Sequence, residues 1–166
     1  MKRTAWRITR EKYIDETFTG EGAKLWGGRW NPVGHPAVYC AESLSLAILE
    51  LIVHLEDDND INSFMAIPVS FSPKIILSLL KSKLPKRWDS LPIGPESIAV
   101  GKKWLDEKKF PILEVPSTVV PIESNFVLNP LHSDFSSLEI GKPQAIHIDS
   151  RIANLLGKDD ALRTRS

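Results

Sequence analysis

Glu50 is a carboxylate placed where a core is expected. Within Leu44–Leu55 the only polar residues are Ser45, Glu50 and His54. Leu44, Ala47, Ile48, Leu51, Ile52 and Leu55 fall on one stripe at helical spacing, and Leu46, Leu49 and Val53 add apolar groups on the other side. The pattern predicts a helix that is buried nearly all round. His54, one turn on, shares the Glu50 face. A buried carboxylate must be paired or face a cavity, because an unpaired buried charge is costly. Its plain reading is an ion pair with an arginine or a helix edge that meets solvent. Its chemical reading is a carboxylate that faces a cavity and so has a job there.

Three further residues have types that suit chemistry. Arg29 sits in Gly27-Gly28-Arg29-Trp30-Asn31-Pro32. A guanidinium among glycines suits phosphate or carboxylate, since its fork binds oxyanions bidentately. Stacking on Trp26 or Trp30 is the alternative. Tyr39 is either core or a platform for a planar heterocycle, with a hydroxyl that needs a partner. Ser117 lies in Val115-Pro116-Ser117-Thr118-Val119-Val120-Pro121. No Gly-x-Ser-x-Gly elbow surrounds it, which argues against a serine nucleophile. Asn125 and Asn129-Pro130-Leu131-His132 read first as turn chemistry.

The elements that must position these groups follow from periodicity and punctuation. A first strand and turn are expected over 4–19, with Trp6, Ile8 and Tyr13 in the core. Leu25–Trp30 and Ala37–Ala41 read as short strands joined by a Pro- and Gly-rich linker. Ser43 is placed to cap the Glu50 helix. Glu56–Asp60 reads as a solvated turn, Phe64–Phe71 as a strand, Lys74–Leu80 as a short strand or helix, and Lys81–Gly94 as an exposed loop. Pro95–Lys108 is predicted helical. Ile112–Val120, Asn125–Leu128 and Gln144–Ile148 read as strands, and Arg151–Leu156 as a short helix. Short strands mixed with two or three helices give an α+β class.

Composition narrows the function classes. The chain has 166 residues, 21 basic and 21 acidic, for a formal charge of zero. That length suits one domain, and zero charge argues against nucleic acid as the main partner. Cys40 is the single cysteine, so no internal disulfide forms, in keeping with a reducing compartment. No signal peptide or 18-residue apolar run is present, so a cytoplasmic protein without membrane association is expected. His35, His54, His132 and His147 lack zinc-ligand spacing, so no metal is expected.

In order along nearly the whole chain, these segments resemble the RES-domain family, named for an arginine, a glutamate and a serine. The Gly-Gly-Arg-Trp-Asn-Pro run places Arg29 at the arginine. Tyr39-Cys40-Ala41-Glu42-Ser43, followed by Ala47 and Glu50, resembles the tyrosine and glutamate segment. Gly101-Lys102-Lys103-Trp104-Leu105 resembles a G-x-x-W-L segment, and Val115-Pro116-Ser117 the serine segment. The stretch Asn125–His132 resembles an N-x-L-x-N-P-x-H run; Ser133 departs from the proline often found next.

The resemblance implies an ADP-ribosyltransferase-like fold, with a central short-stranded split sheet and flanking helices in one domain. It implies the toxin of a type II toxin–antitoxin pair, blocked at its active site by an Xre-like helix-turn-helix antitoxin, with homodimerisation in the complex left open. Family activities are NAD+ hydrolysis, NAD+ phosphorolysis and ADP-ribosylation of a protein, all of which break the nicotinamide–ribose bond. NAD+ is then a substrate, with no permanently bound cofactor. Arg29, Tyr39, Glu50 and Ser117 are the implied catalytic residues. Gly28, Arg29, Trp30, Asn31, Tyr39 and Asn129 are the implied NAD+ contacts. Which acceptor takes ADP-ribose is expected to depend on how open the cleft is, with loop 81–94 as its control. Two alternatives remain: a transferase specific for one protein, and a binding module without turnover.

Overall fold

The structure is a computed structural model in which residues 1–55, 63–149 and 151–152 are described. The turn expected at Glu56–Asp60 and most of the helix expected at Arg151–Leu156 lie outside the described residues. The element order is β1 (Arg3–Arg10), α1 (Glu21–Trp26), β2 (Val38–Ala41), α2 (Leu44–His54), β3 (Phe64–Phe71), β4 (Ile76–Ser78), α3 (Pro95–Glu107), β5 (Ile112–Pro116), β6 (Ser124–Leu128), β7 (Glu139–Ile140) and β8 (Gln144–Ala145), with short 3-10 turns between.

The strands form one mixed sheet in the order β4-β5-β6-β2-β1-β3-β7, with β8 also on β3. Among the described residues only the β4–β5 pair is parallel. The sheet is pinched in the middle. β1 and β3 pair along eight residues, whereas β1 and β2 share the single register pair Trp6–Ala41. The short-stranded sheet expected from the resemblance is thus continuous, with a narrow seam between β1 and β2. The sheet also curls: Arg3 of β1 reaches over the Phe126 ring and pairs with Glu114 of β5 at 2.8 Å.

Alternation in the strands sends residues to two cores. Val38, Cys40, Ile112, Phe126 and Leu128 join Ala5, Val69 and Phe71 on one face. Leu113, Val115 and Val127 meet Trp30, Trp88, Trp104 and Leu105 on the other. Gly101 allows α3 to join this second core, because a Cβ there would collide with the Trp30 carbonyl. Trp104 then donates its indole N–H to the Phe110 carbonyl at 2.8 Å.

Several expectations are corrected. Leu25–Trp30 is no strand; Glu21–Trp26 is helical and residues 27–31 turn back, with Gly28 and Asn31 bridged. Tyr13 is exposed, stacked under Lys12. α2 is not buried all round: only Leu46 and Ala47 are, while Leu49 and Val53 face outward. Loop 81–94 is not wholly exposed, since Trp88 stacks on Trp30 in the core. β5 stops at Pro116, so Ser117 opens a turn and does not lie in a strand.

Candidate active site

The Glu50 helix starts where the sequence places it. Ser43 is extended, and its Oγ accepts the Leu46 N–H at 3.1 Å. Ser43 also donates to Glu123 Oε2 at 3.1 Å, which ties the helix start to the 117–123 turn. A second tie is made further along the helix, at Glu50. Ser117 Oγ donates to Glu50 Oε1 at 2.8 Å, and Asn125 Nδ2 donates to the same oxygen at 2.6 Å.

Ser117 is fully used by these contacts. Its Oγ accepts the N–H groups of Val119 and Val120 at 3.0 Å each. A hydroxyl has one proton and two lone pairs, and here all three are engaged. With its proton on Glu50 and both lone pairs on backbone N–H groups, the buried Ser117 hydroxyl is held as a brace beside the carboxylate.

Behind this corner lies a second polar cluster. The Tyr39 hydroxyl donates to Asn31 Oδ1 at 2.6 Å and accepts the Trp30 N–H at 3.0 Å. Asn31 is fully buried, and its Nδ2 donates to the carbonyls of Ala23, Pro32 and His35. Burial raises the Tyr39 phenol well above its ordinary pKa, against the Trp30 hydrogen bond and Arg29. Gly28 is glycine for this cluster: a Cβ would lie 2.6 Å from the Tyr39 oxygen and 2.7 Å from Asn31 Oδ1.

Arg29 bridges the corner and a loop. Its Nη1 donates to the carbonyls of Trp88 (2.8 Å) and Ser90 (3.2 Å). Its other guanidinium nitrogens make no hydrogen bond among the described residues. Partial burial lowers its pKa, while Asp89, Glu50 and Tyr39 pull it back up. Arg29, Tyr39 and Glu50 therefore share one field. A cavity of about 190 Å³ opens beside the same turn, lined by Trp26, Gly28, Asn31, Val33, Ile93 and Ile98.

Comparison with known proteins agrees in outline. The RES domain matches residues 4–149. The chain belongs to the RES domain family. It is 37% identical over 148 residues to "Toxin Res" of Yersinia enterocolitica, covering 89% of this chain and 97% of that one. It is 34% identical over 158 residues to "Prs ADP-ribosylating toxin" of Sphingobium sp., covering 92% and 98%. Among solved structures, a chain of the M. tuberculosis MbcT–MbcA toxin–antitoxin complex superposes with a TM-score of 0.74 at 17% identity, covering 95% of this chain and 88% of that one. The architecture is that of a RES toxin, α+β and consistent with an ADP-ribosyltransferase-like fold.

In this RES domain the expected site residues fall into three groups. Glu50 and Ser117 meet at the β2–α2 corner, Arg29 lies within the Glu50 field, and Tyr39 with Gly28 sits in the cluster behind. Trp30 and Asn31 are buried behind it, so they shape the corner from the core. Asn129 lies elsewhere: its Oδ1 accepts the Leu131 N–H at 3.0 Å in a turn, and no contact among the described residues links it to Glu50. Two further residues, absent from the expected site residues, have polar contacts here: Asn125 at the Glu50 corner and Arg7 on the other face of the sheet. Asn125 is on β6, not in a turn, and touches Glu50. Arg7 donates to Thr17 Oγ1 and, across the sheet seam, to the Tyr39 carbonyl. Burial lowers its pKa, and it meets no carboxylate among the described residues. The available signal for Arg7 was its place between the apolar pair Trp6 and Ile8. It points to the opposite face, as alternation requires.

Proposed function

We propose that this RES toxin cleaves the nicotinamide–ribose bond of NAD+. The observation that carries the reading is the half-engaged Glu50 carboxylate: Oε1 holds two donors, whereas Oε2 has no partner among the described residues. Nicotinamide leaves as a neutral group, so no strong acid is needed. The ribose left behind resembles an oxocarbenium ion. A carboxylate that accepts a ribose hydroxyl strengthens that contact as positive charge develops, and a poorly hydrated corner magnifies the effect.

The other roles follow from position. The free nitrogens of Arg29 bind pyrophosphate, Tyr39 offers its ring to nicotinamide or ribose, and the cavity beside Gly28 takes one planar end of the dinucleotide. Ser117 orders Glu50. Arg29 holds the carbonyls of Trp88 and Ser90, so loop 81–94 and substrate meet at one side chain. A cognate antitoxin, of the Xre-like helix-turn-helix class, blocks this cleft; the complex that contains the MbcT chain supports an antitoxin partner.

The acceptor of ADP-ribose is water or phosphate in the first reading. A protein acceptor is the second, and the name of the Sphingobium relative favours it. Purified chain incubated with NAD+, with and without inorganic phosphate, distinguishes them when nicotinamide and the ribosyl product are identified. Free ADP-ribose marks hydrolysis and its phosphorylated form marks phosphorolysis. A single labelled band from labelled NAD+ in lysate marks transfer to protein. Absence of nicotinamide release under all conditions removes the proposal.

A further inference from the structure

We propose that Asn125 is a positioning residue for this reaction, holding Glu50 by one oxygen so that the other faces substrate. The inference rests on the NAD+ reading for its chemistry, but its geometric content stands apart from it.

Asn125 occupies an unusual place. By alternation along β6 it shares a face with Val127, and its register neighbour on β5 is Val115; both valines are fully buried. An amide on such a face needs partners. Its Nδ2 finds one, the Glu50 carboxylate at 2.6 Å. Its Oδ1 finds none and is buried. Turning the amide over does not relieve this, because it would set Oδ1 against a carboxylate oxygen and leave the N–H groups stranded. The carboxylate dictates the orientation, and the unpaired oxygen is the consequence. A valine would continue the face and leave nothing unpaired. The amide makes sense here through the donor it supplies to Glu50.

Ser117 and Asn125 divide the work by direction. Ser117 approaches from the turn after β5, anchored by two backbone N–H groups. Asn125 approaches from the neighbouring strand, anchored by the sheet. Two donors from two independently fixed elements, on the same oxygen, define the carboxylate plane. A single donor would leave it free to swing. Oε2 is therefore aimed by the sheet and the turn together, before substrate arrives.

The test compares wild type, N125A and N125D in NAD+ consumption across pH, alongside a crystal structure of N125A. N125A is expected to lower kcat about ten- to hundred-fold with little change in KM, as a misplaced catalytic group does. N125D adds a carboxyl beside Glu50, and the like charge raises the upper apparent pKa of the pair. Below that pKa the retained proton bridges the introduced carboxyl and Oε1, in place of the amide donor. Above it two negative charges repel. The activity of N125D relative to wild type should thus rise as pH falls, whereas N125A relative to wild type stays flat. Unchanged kcat in N125A, or a flat N125D ratio, overturns the proposal. If wild type consumes no NAD+, the functional reading fails and the crystal structure decides this one. A Glu50 carboxylate that keeps its plane in N125A refutes positioning; a rotated one supports it.

Discussion

The corner around Glu50 and the cluster around Tyr39 are neighbours of similar make-up, each built from a glutamate or tyrosine, an asparagine and backbone groups. They differ in closure. In the Tyr39 cluster the phenol gives its proton to Asn31 and takes one from Trp30, and Asn31 spreads its donors over three carbonyls. In the Glu50 corner one carboxylate oxygen is saturated and the other is open, and the adjoining amide oxygen is unpaired. A closed network contributes rigidity. An open one retains capacity for a ligand, at a cost in stability typical of an unpaired buried polar group, about 1–3 kcal/mol. The closed cluster fixes the turn that carries Arg29.

This contrast makes distinct demands on substitutions. The largest effect is expected at Glu50. E50Q keeps volume and removes charge, so NAD+ turnover should fall about 100- to 1000-fold, while the melting temperature changes little. A chain that unfolds instead would erase the distinction between open and closed. Next comes G28A, which pushes a methyl into the Tyr39–Asn31 pair. Overpacking of that kind should cost about 1–3 kcal/mol, read as a lower urea midpoint with an unchanged m-value. Y39F leaves Asn31 Oδ1 and the Trp30 N–H without their partner, and a loss of about 1–3 kcal/mol is expected. If Y39F instead leaves stability intact and abolishes turnover, Tyr39 belongs to the chemical side.

The smallest effect concerns Cys40, one residue along β2. Burial pushes its thiol up to about 12, against the pull of Arg7. The thiolate is the reactive form, so almost none is present at neutral pH. Cys40 should resist a disulfide reagent in the native state and react on denaturation. Fast labelling of native protein would show that the seam between β1 and β2 opens readily.

Legibility in the sequence followed the range of the interaction that decides each feature. The α2 start was readable because a cap is a contact between Ser43 and Leu46. β3 was readable at its bounds because alternation is local. The segment after Gly20 misled, since apolar residues in a short run suit either a strand or one helical turn, and packing chose the helix. Asn125 and Asn129 looked alike in sequence; one faces Glu50 from a strand, the other closes a turn.

The sequence by itself determined the ingredients: a carboxylate on an apolar helix, an arginine in a glycine turn, a serine without an elbow, and an order of segments that belongs to the RES family. Only the tertiary structure decided which of their atoms remain available. Hydrogen-bond saturation is a long-range property here, since Glu50 meets partners 67 and 75 residues away. No local pattern records which oxygen they take. The sheet seam, the turn after β5 and the strand β6 together leave Oε2 open and close the hydroxyl of Ser117.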